Sequence, residues 1–320
     1  MTPGKAYLTT DEIRDLSRRS DLWGVWLIGH CWAVIAAALA LFAWAPNVVT
    51  FLIAVVVIGS RQLGLAILMH EAAHRALFKN TAANDLVGEW VAGWPVLADL
   101  HEYRRYHITH HQFTQTDKDP DLNLSKPFPT TWSSLRRKVV RDLTGQTGIK
   151  LRAAQILAAF RFIGEADDVP EDRKSLAQNF QATVLGRALV ANVVIFGVMW
   201  IAGAWWWWFA FWALPLLTWY QLVTRIRNIA EHGVVEFSSN PLKNVRTTYA
   251  GPIMRLLIAP YYVNYHLEHH LIMHMPCHSL PKAHRLMIDK GLGAEMEIGR
   301  TYWDVLRKAA GRSETPHVRT

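Results

Sequence analysis

Residues 22–60 read LWGVWLIGHCWAVIAAALALFAWAPNVVTFLIAVVVIGS, a stretch of 39 residues without one Asp, Glu, Lys or Arg. A helix crosses a bilayer in about 20 apolar residues, so this run is long enough for two crossings. The joint falls at Ala45-Pro46-Asn47, where Pro46 is a strong breaker. A second charge-free run of 37 residues extends from Ala188 to Thr224 and turns at Ala202-Gly203-Ala204. Helices in the core of a soluble protein keep a polar face, and these runs have none. The expectation is an all-α integral membrane protein, one domain over 1–320. Four transmembrane helices form two hairpins, near 22–45, 48–69, 188–203 and 205–226. Residues 70–187 and 227–320 then form a helical cap on one side of the bilayer.

Charge sets the orientation. Arg18, Arg19, Arg61, Arg75 and Lys79 flank the first hairpin; Arg187, Arg225 and Arg227 flank the second. The two short turns carry no charge. Basic residues stay on the cytosolic side, which puts both termini and the cap in the cytosol. Trp44, Trp200 and Trp205 to Trp208 lie near the outer turns, suited to the membrane interface or to hydrophobic filling. No cleavable signal sequence is visible. Thr9-Thr10-Asp11-Glu12 reads as a capping box that starts a short helix. Cys31 and Cys277 fall in different compartments, so no disulfide is expected.

Within the cap, residues 86–97 are apolar but short and are expected on the membrane surface. Residues 126–181 read as helices interrupted by Pro127, Pro129 and Pro170. Arg136, Arg137, Lys138 and Arg141 form a basic cluster: a solvated face, a contact with anionic head groups, or a dock for an acidic electron donor. The formal net charge is +8, but the aromatics sit in the apolar runs rather than among the cations, which argues against nucleic acid. Residues 237–252 read as an irregular loop and 301–309 as a short helix.

Three histidine clusters carry the chemistry: His70-Glu-Ala-Ala-His74, His107-Ile-Thr-His110-His111 and His266-Leu-Glu-His269-His270. Helical spacing of three and four residues puts the rings of each HxxHH on one face, and imidazole is a common transition-metal ligand. Eight donors exceed the needs of one ion and suit two, with coordination positions left for redox or O2 chemistry. The second span continues as helix from Arg61 to His70, a rise of about 13 Å; the fourth continues from Thr224 to His232, about 12 Å. Two helices therefore reach similar heights, one bearing His70 and His74, the other Asn228 and His232. His101, His274, His278 and His284 lie near the clusters as supporting or surface groups. His30 reads as a helix-packing residue, and His317 lies in the tail.

The boxes HEAAH, HITHH and HLEHH, in this order and on this side of the spans, resemble those of the integral-membrane fatty acid desaturase and hydroxylase superfamily. Tyr103 to His111 followed by Asp119-Pro120-Asp121, the Asn228–His232 element, and Asn264 to His270 followed by Pro276 and Leu280-Pro281 are similar to that family's patterns. The resemblance covers residues 21–286. It implies a non-haem di-iron centre whose ligands here are His70, His74, His107, His110, His111, His232, His266, His269 and His270, with Asn228 contacting one iron through water. It implies O2 as co-substrate, a lipid or acyl-chain substrate, and a separate electron donor of ferredoxin or cytochrome b5 type, since neither a cytochrome b5 pattern nor a Rossmann fingerprint is present.

An unactivated methylene offers no acidic proton, so acid–base chemistry cannot break its C–H bond, and the cofactor must carry that step. The leading expectation is an O2-dependent lipid desaturase in a bacterial inner membrane. A hydroxylase or oxygenase of an alkyl chain, sterol or carotenoid would use the same site. Two other readings make different demands. His70-Glu71-Ala72-Ala73-His74 also fits the HExxH zinc-protease pattern, with Glu71 as general base, but leaves both HxxHH runs unused. A membrane metal binder or transporter would need ligands inside the spans.

Overall fold

The computed structural model describes residues 3–160 and 180–311. Pro170 and His317 lie outside the described residues. The described chain is mostly helical. Thr9 caps α1 (Thr10–Leu16) with the full capping box that its sequence predicts. Ser20 then caps α2 (Asp21–Trp44), and Asn47 caps α3 (Val48–Ala73) by accepting the Val49 and Thr50 amides. The turn between them falls at Ala45-Pro46-Asn47, as read. The next elements are α4 (Thr81–Val87), α5 (Leu100–Phe113), α6 (Leu122–Ser125), α7 (Trp132–Leu143), α8 (Gln146–Ala159) and α9 (Ala182–Ala202). They are followed by α10 (Leu214–Leu217), α11 (Trp219–His232), α12 (Pro252–Leu257), α13 (His266–Leu271), α14 (Leu280–Asp289) and α15 (Tyr302–Ala309).

Among the described residues, three helices, α2, α3 and α9, are long and apolar enough to cross a membrane. Their outward faces carry Leu22, Val25, Leu52, Val193, Val198 and Ile201, all exposed. Such faces are what a helix presents to lipid rather than to water. The expected fourth continuous span differs. Residues 209–213 form a π-helical segment, α10 follows, and the chain breaks at Thr218 (φ −118°, ψ −86°) before α11. Pro215 explains part of this, because it has no amide hydrogen to give the preceding turn. The break itself is wedged: Leu217 lies so close to Gly148 of α8 that a Cβ there would meet its carbonyl oxygen at 2.4 Å.

Residues 86–96 are helical, with Trp94, Pro95 and Val96 buried, and Leu97 ends the run in a left-handed turn (φ 60°). The tryptophan run divides between its two readings. Trp44, Trp200 and Trp205 are exposed at the ends of the long helices, whereas Trp207 is buried against Phe42 and Phe211. The loop expected over 237–252 is not wholly irregular. Thr247–Thr248 (β1) pairs in parallel with Ile298–Gly299 (β2) and ties the region behind α11 to the start of α15. The terminal helix appears as expected. Both cysteines are buried and free.

The C-terminal half of α3, from Ile58 to Ala73, is the centre of the molecule and is almost wholly buried. It packs against α2, α5, α11, α12 and the turns at 88–93. Helix C-termini leave carbonyls without partners. At α3 they are met from two sides. Asn84 donates to the Ala72 carbonyl (2.8 Å) and accepts the amides of Leu77 and Phe78. Arg104 of α5 reaches the Ala72 and Ala73 carbonyls (3.0 and 2.9 Å) and is held by Asp85. This double bracket fixes α5 against the end of α3. Asn84→Ala leaves a buried carbonyl and two amides with fewer partners, at about 1–3 kcal/mol for each group stranded. Thermal melts of the purified variant are expected to show a transition several degrees lower; an unchanged melt would mean that Arg104 alone suffices.

Candidate metal centre

Nine imidazoles from four helices converge beyond the apolar part of α3. His70 and His74 come from its last turn and cap, His107, His110 and His111 from α5, His232 from the end of α11, and His266, His269 and His270 from α13. They divide into two groups. His70, His74, His107, His111 and His269 form the first; His110, His232, His266 and His270 form the second. Within each group one donor atom per residue lies within 4.8 Å of all the others. The groups abut, with the rings of His111 and His270 stacked at 4.1 Å.

The ring nitrogens face inward. His111 Nε2 lies 3.0 Å from His107 Nε2 and 3.1 Å from His269 Nε2. His266 Nε2 lies 2.8 Å from His232 Nε2 and 3.1 Å from His270 Nε2. An imidazole nitrogen has one proton or one lone pair, enough for one good hydrogen bond rather than two. Two nitrogens bound at right angles to one ion, each about 2.1 Å away, sit ~3.0 Å apart. The spacing is therefore that of neighbouring ligands. Nε2 of His70, His74 and His110 is also buried without any hydrogen-bond partner. These residues fit transition-metal ions, and an all-imidazole donor set suits iron, zinc, copper or nickel rather than magnesium or calcium.

Electrostatics agree. Burial, and after it the neighbouring rings, holds His107, His111, His266, His269 and His270 well below the usual imidazole range. His74 is pushed down to about 3, chiefly by burial. These rings are neutral near pH 7, with lone pairs free. His110 is the exception. Burial lowers it, but the Asp119 hydrogen bond and the charges of Asp121 and Asp119 outweigh burial and raise it.

Partners on the outer side fix the tautomers. His110 Nδ1 donates to Asp119 Oδ1 at 2.8 Å, which leaves Nε2 for the interior. Thr114, which caps α5, gives its hydroxyl proton to the His110 carbonyl at 2.6 Å. Its oxygen, 3.2 Å from His270 Nδ1, then accepts from that ring, so His270 also turns Nε2 inward. Such outer contacts set ligand orientation as firmly as the ligands themselves. Asp119 stands out in the sequence beside the second box, whereas Thr114 does not; its only signal is a hydroxyl four residues after His110, at the cap of the same helix.

Asn228 is half-buried and lines a small cavity beside His107, His110, His232 and His266. His274 contacts the His74 carbonyl at 3.3 Å, His284 bonds Glu268 at 2.6 Å, His101 pairs with Glu89, and His278 stacks on Trp23. None of these four belongs to either group. His30 meets the Tyr261 hydroxyl at 3.3 Å, as a packing residue does. Glu71 accepts the Cys277 amide at 2.8 Å, and five imidazoles crowd the group that holds His70 and His74. A zinc protease needs three ligands, an open position and a base facing it, so the HExxH reading fits poorly.

Comparison with known proteins agrees with this geometry. The fatty acid desaturase family model matches residues 42–300, and the chain belongs to that family of membrane-bound oxidoreductases, which generally use a non-haem di-iron centre. Dihydrorhizobitoxine desaturase of Bradyrhizobium elkanii is 28% identical over 283 residues, 86% of this chain and 78% of that protein. Beta-carotene ketolase of a Paracoccus species is 24% identical over 297 residues, 89% of this chain and 98% of the ketolase. An sn-1 oleoyl-lipid 12-desaturase of a Picosynechococcus species is 23% identical over 262 residues, 78% of this chain and 72% of its own length.

Thr114→Val removes the acceptor that orients His270 while keeping the side chain's shape. Metal affinity of the second group is expected to fall about 10–100-fold, as for other outer-contact losses. Thr114→Ser is expected to restore it in the same titration. Equal affinity in all three proteins would remove Thr114 from the site.

Proposed function

We propose that this protein is an O2-dependent desaturase of membrane lipid or acyl chains, with two iron ions held by the nine histidines and with Asn228 contacting one of them through water. The convergence of nine imidazoles, seven buried and two half-buried, into two abutting groups carries this reading. A di-iron centre supplies, from O2 and two electrons, the oxidising power to break an unactivated C–H bond. The chain supplies the rest. Asp119 and Thr114 keep protons on the outer nitrogens of His110 and His270. α3, α5, α11 and α13 hold the donors rigid. Burial keeps bulk water from the centre. Because imidazole is neutral, the nine rings add no negative charge and leave the ions electron-poor.

The proposed membrane arrangement has four spans in two hairpins, the fourth assembled from the segments between residues 205 and 226, in one domain. Basic residues beside each hairpin favour a cytosolic centre and cytosolic termini, in a bacterial inner membrane. Electrons then come from a separate cytosolic carrier of ferredoxin or cytochrome b5 type. Arg136, Arg137 and Arg141, exposed on α7, are a surface where such an acidic partner could dock.

A second reading is favoured by the near full-length match to beta-carotene ketolase, whose name denotes a carbonyl-forming oxidation. Hydrogen removal from one carbon followed by loss from its neighbour gives an alkene. Oxygen transfer to the first carbon gives an alcohol, and a second such turnover at the same carbon, with loss of water, gives a ketone. Lipid and isoprenoid profiling of cells with and without the chain separates these: a product two mass units lighter supports desaturation, and one gaining oxygen supports the second reading.

Chelator-free purification is expected to yield about two irons per chain. His107→Ala and His269→Ala, in the first group, are each expected to abolish product formation while the protein still elutes as a folded species. Turnover at the wild-type rate in either variant would exclude that ring as an essential ligand.

A further inference from the structure

Glu231 sits between Ile229–Ala230 and His232 on the last turn of α11, and its side chain is only 2% exposed. One carboxylate oxygen is accounted for: Oε1 accepts from Arg227 Nε at 2.7 Å, one helical turn back. The other is not. Oε2 is buried, has no hydrogen-bond partner, and lies 3.5 Å from His266 Nε2, on the inward-facing edge of the second group. An arginine fork can engage both oxygens of a carboxylate, and a pair serving only to staple a helix would gain by doing so. Here one oxygen turns away from the guanidinium and toward the imidazoles. Beside it is a cavity of about 30 Å³, lined by Asn228, Glu231, His107, His110, His232 and His266. That is room for a single water. The two groups are also unequal: five imidazoles in the first, four in the second.

We infer that Glu231 accepts a hydrogen bond, through Oε2, from a water bound to the ion of the second group. The inference rests on the two-ion reading above. Glu231 would then share the water with Asn228 and set a carboxylate on the inward-facing side of the four-histidine ion, where Asp119 and Asp121 stand behind the outer nitrogen of His110. Arg227 holds the carboxylate in place and is a positioning residue. The first ion has a fifth imidazole instead, and the carboxylate beside its group, Glu71, lies 3.7 Å from His70 Nδ1 and is engaged by the Cys277 amide, so the two ions would differ in affinity and in spectrum. The role asks nothing of the spacing of the histidine boxes, and the sequence hides it: a Glu beside a His on a basic, amphipathic helix reads as an ordinary surface acid.

The test is an anaerobic Fe(II) titration of the full-length, metal-free chain in detergent, followed by calorimetry and by Mössbauer spectra of the loaded protein. The wild-type chain is expected to take two equivalents with distinct signals. Glu231→Gln is expected to keep the first and to weaken the second about 10–100-fold, with its signal altered. Arg227→Gln breaks the pair but keeps the carboxylate, and is expected to retain two equivalents. Two wild-type equivalents in Glu231→Gln would overturn the inference, as would equal weakening in both variants, which marks a helix staple. Should Glu231→Gln fail to fold, infrared difference spectra of the wild-type chain labelled with 13C-glutamate decide the matter. A buried carboxylate band must move with the second equivalent, and a still band overturns the proposal. Fewer than two equivalents in the wild-type chain would instead sink the two-ion reading, before any variant is made.

Discussion

Nine imidazole rings within reach of one another, seven of them buried and two half-buried, form an unstable arrangement unless something sits between them. Their inner nitrogens lie about as far apart as ligands on one ion, and three have no partner at all. Each stranded polar group costs about 1–3 kcal/mol, against a total stability for a typical protein of only about 5–15 kcal/mol. Filling the space with cations turns that penalty into binding energy, and binding then stabilises the folded chain. The centre is thus a condition of the fold as well as its product.

The surrounding architecture answers this demand. The donors come from four separate helices, and the register between them has to be held to a fraction of an ångström. The bracket of Asn84 and Arg104 at the end of α3 fixes the first two boxes to each other. Thr114 links the second box to the third, and Gln115 donates to the His232 carbonyl, linking the second box to α11. Behind the third box, Glu268 accepts from Thr247 and pairs with His284, so α13 is pinned to β1 and to α14. A site on rigid elements with such outer contacts suits chemistry in which product identity depends on which C–H bond faces the metal.

Much of this was legible in the sequence because it rests on periodic signals. Charge-free runs marked α2, α3 and α9, Pro46 and Gly203 marked the turns, and the spacing of three and four residues put the rings of each box on one face. Asn228 and His232, one helical turn apart, could be placed near the boxes by helix rise alone. What stayed hidden depends on long-range contact. The break at Thr218 needs α8 lying against Leu217, and β1 needs a partner some fifty residues later. The burial of Trp207 depends on Phe42 and Phe211, and the inward turn of Glu231 depends on His266; neither contact leaves a periodic trace.

The most direct test of the central claim is anomalous diffraction at the metal edge from crystals of the loaded, full-length protein. Two peaks are expected among the nine rings, one inside each group, each about 2.1 Å from several Nε2 atoms. A single peak, a peak bound only by His70 and His74, or histidine nitrogens pointing away from any peak would contradict it.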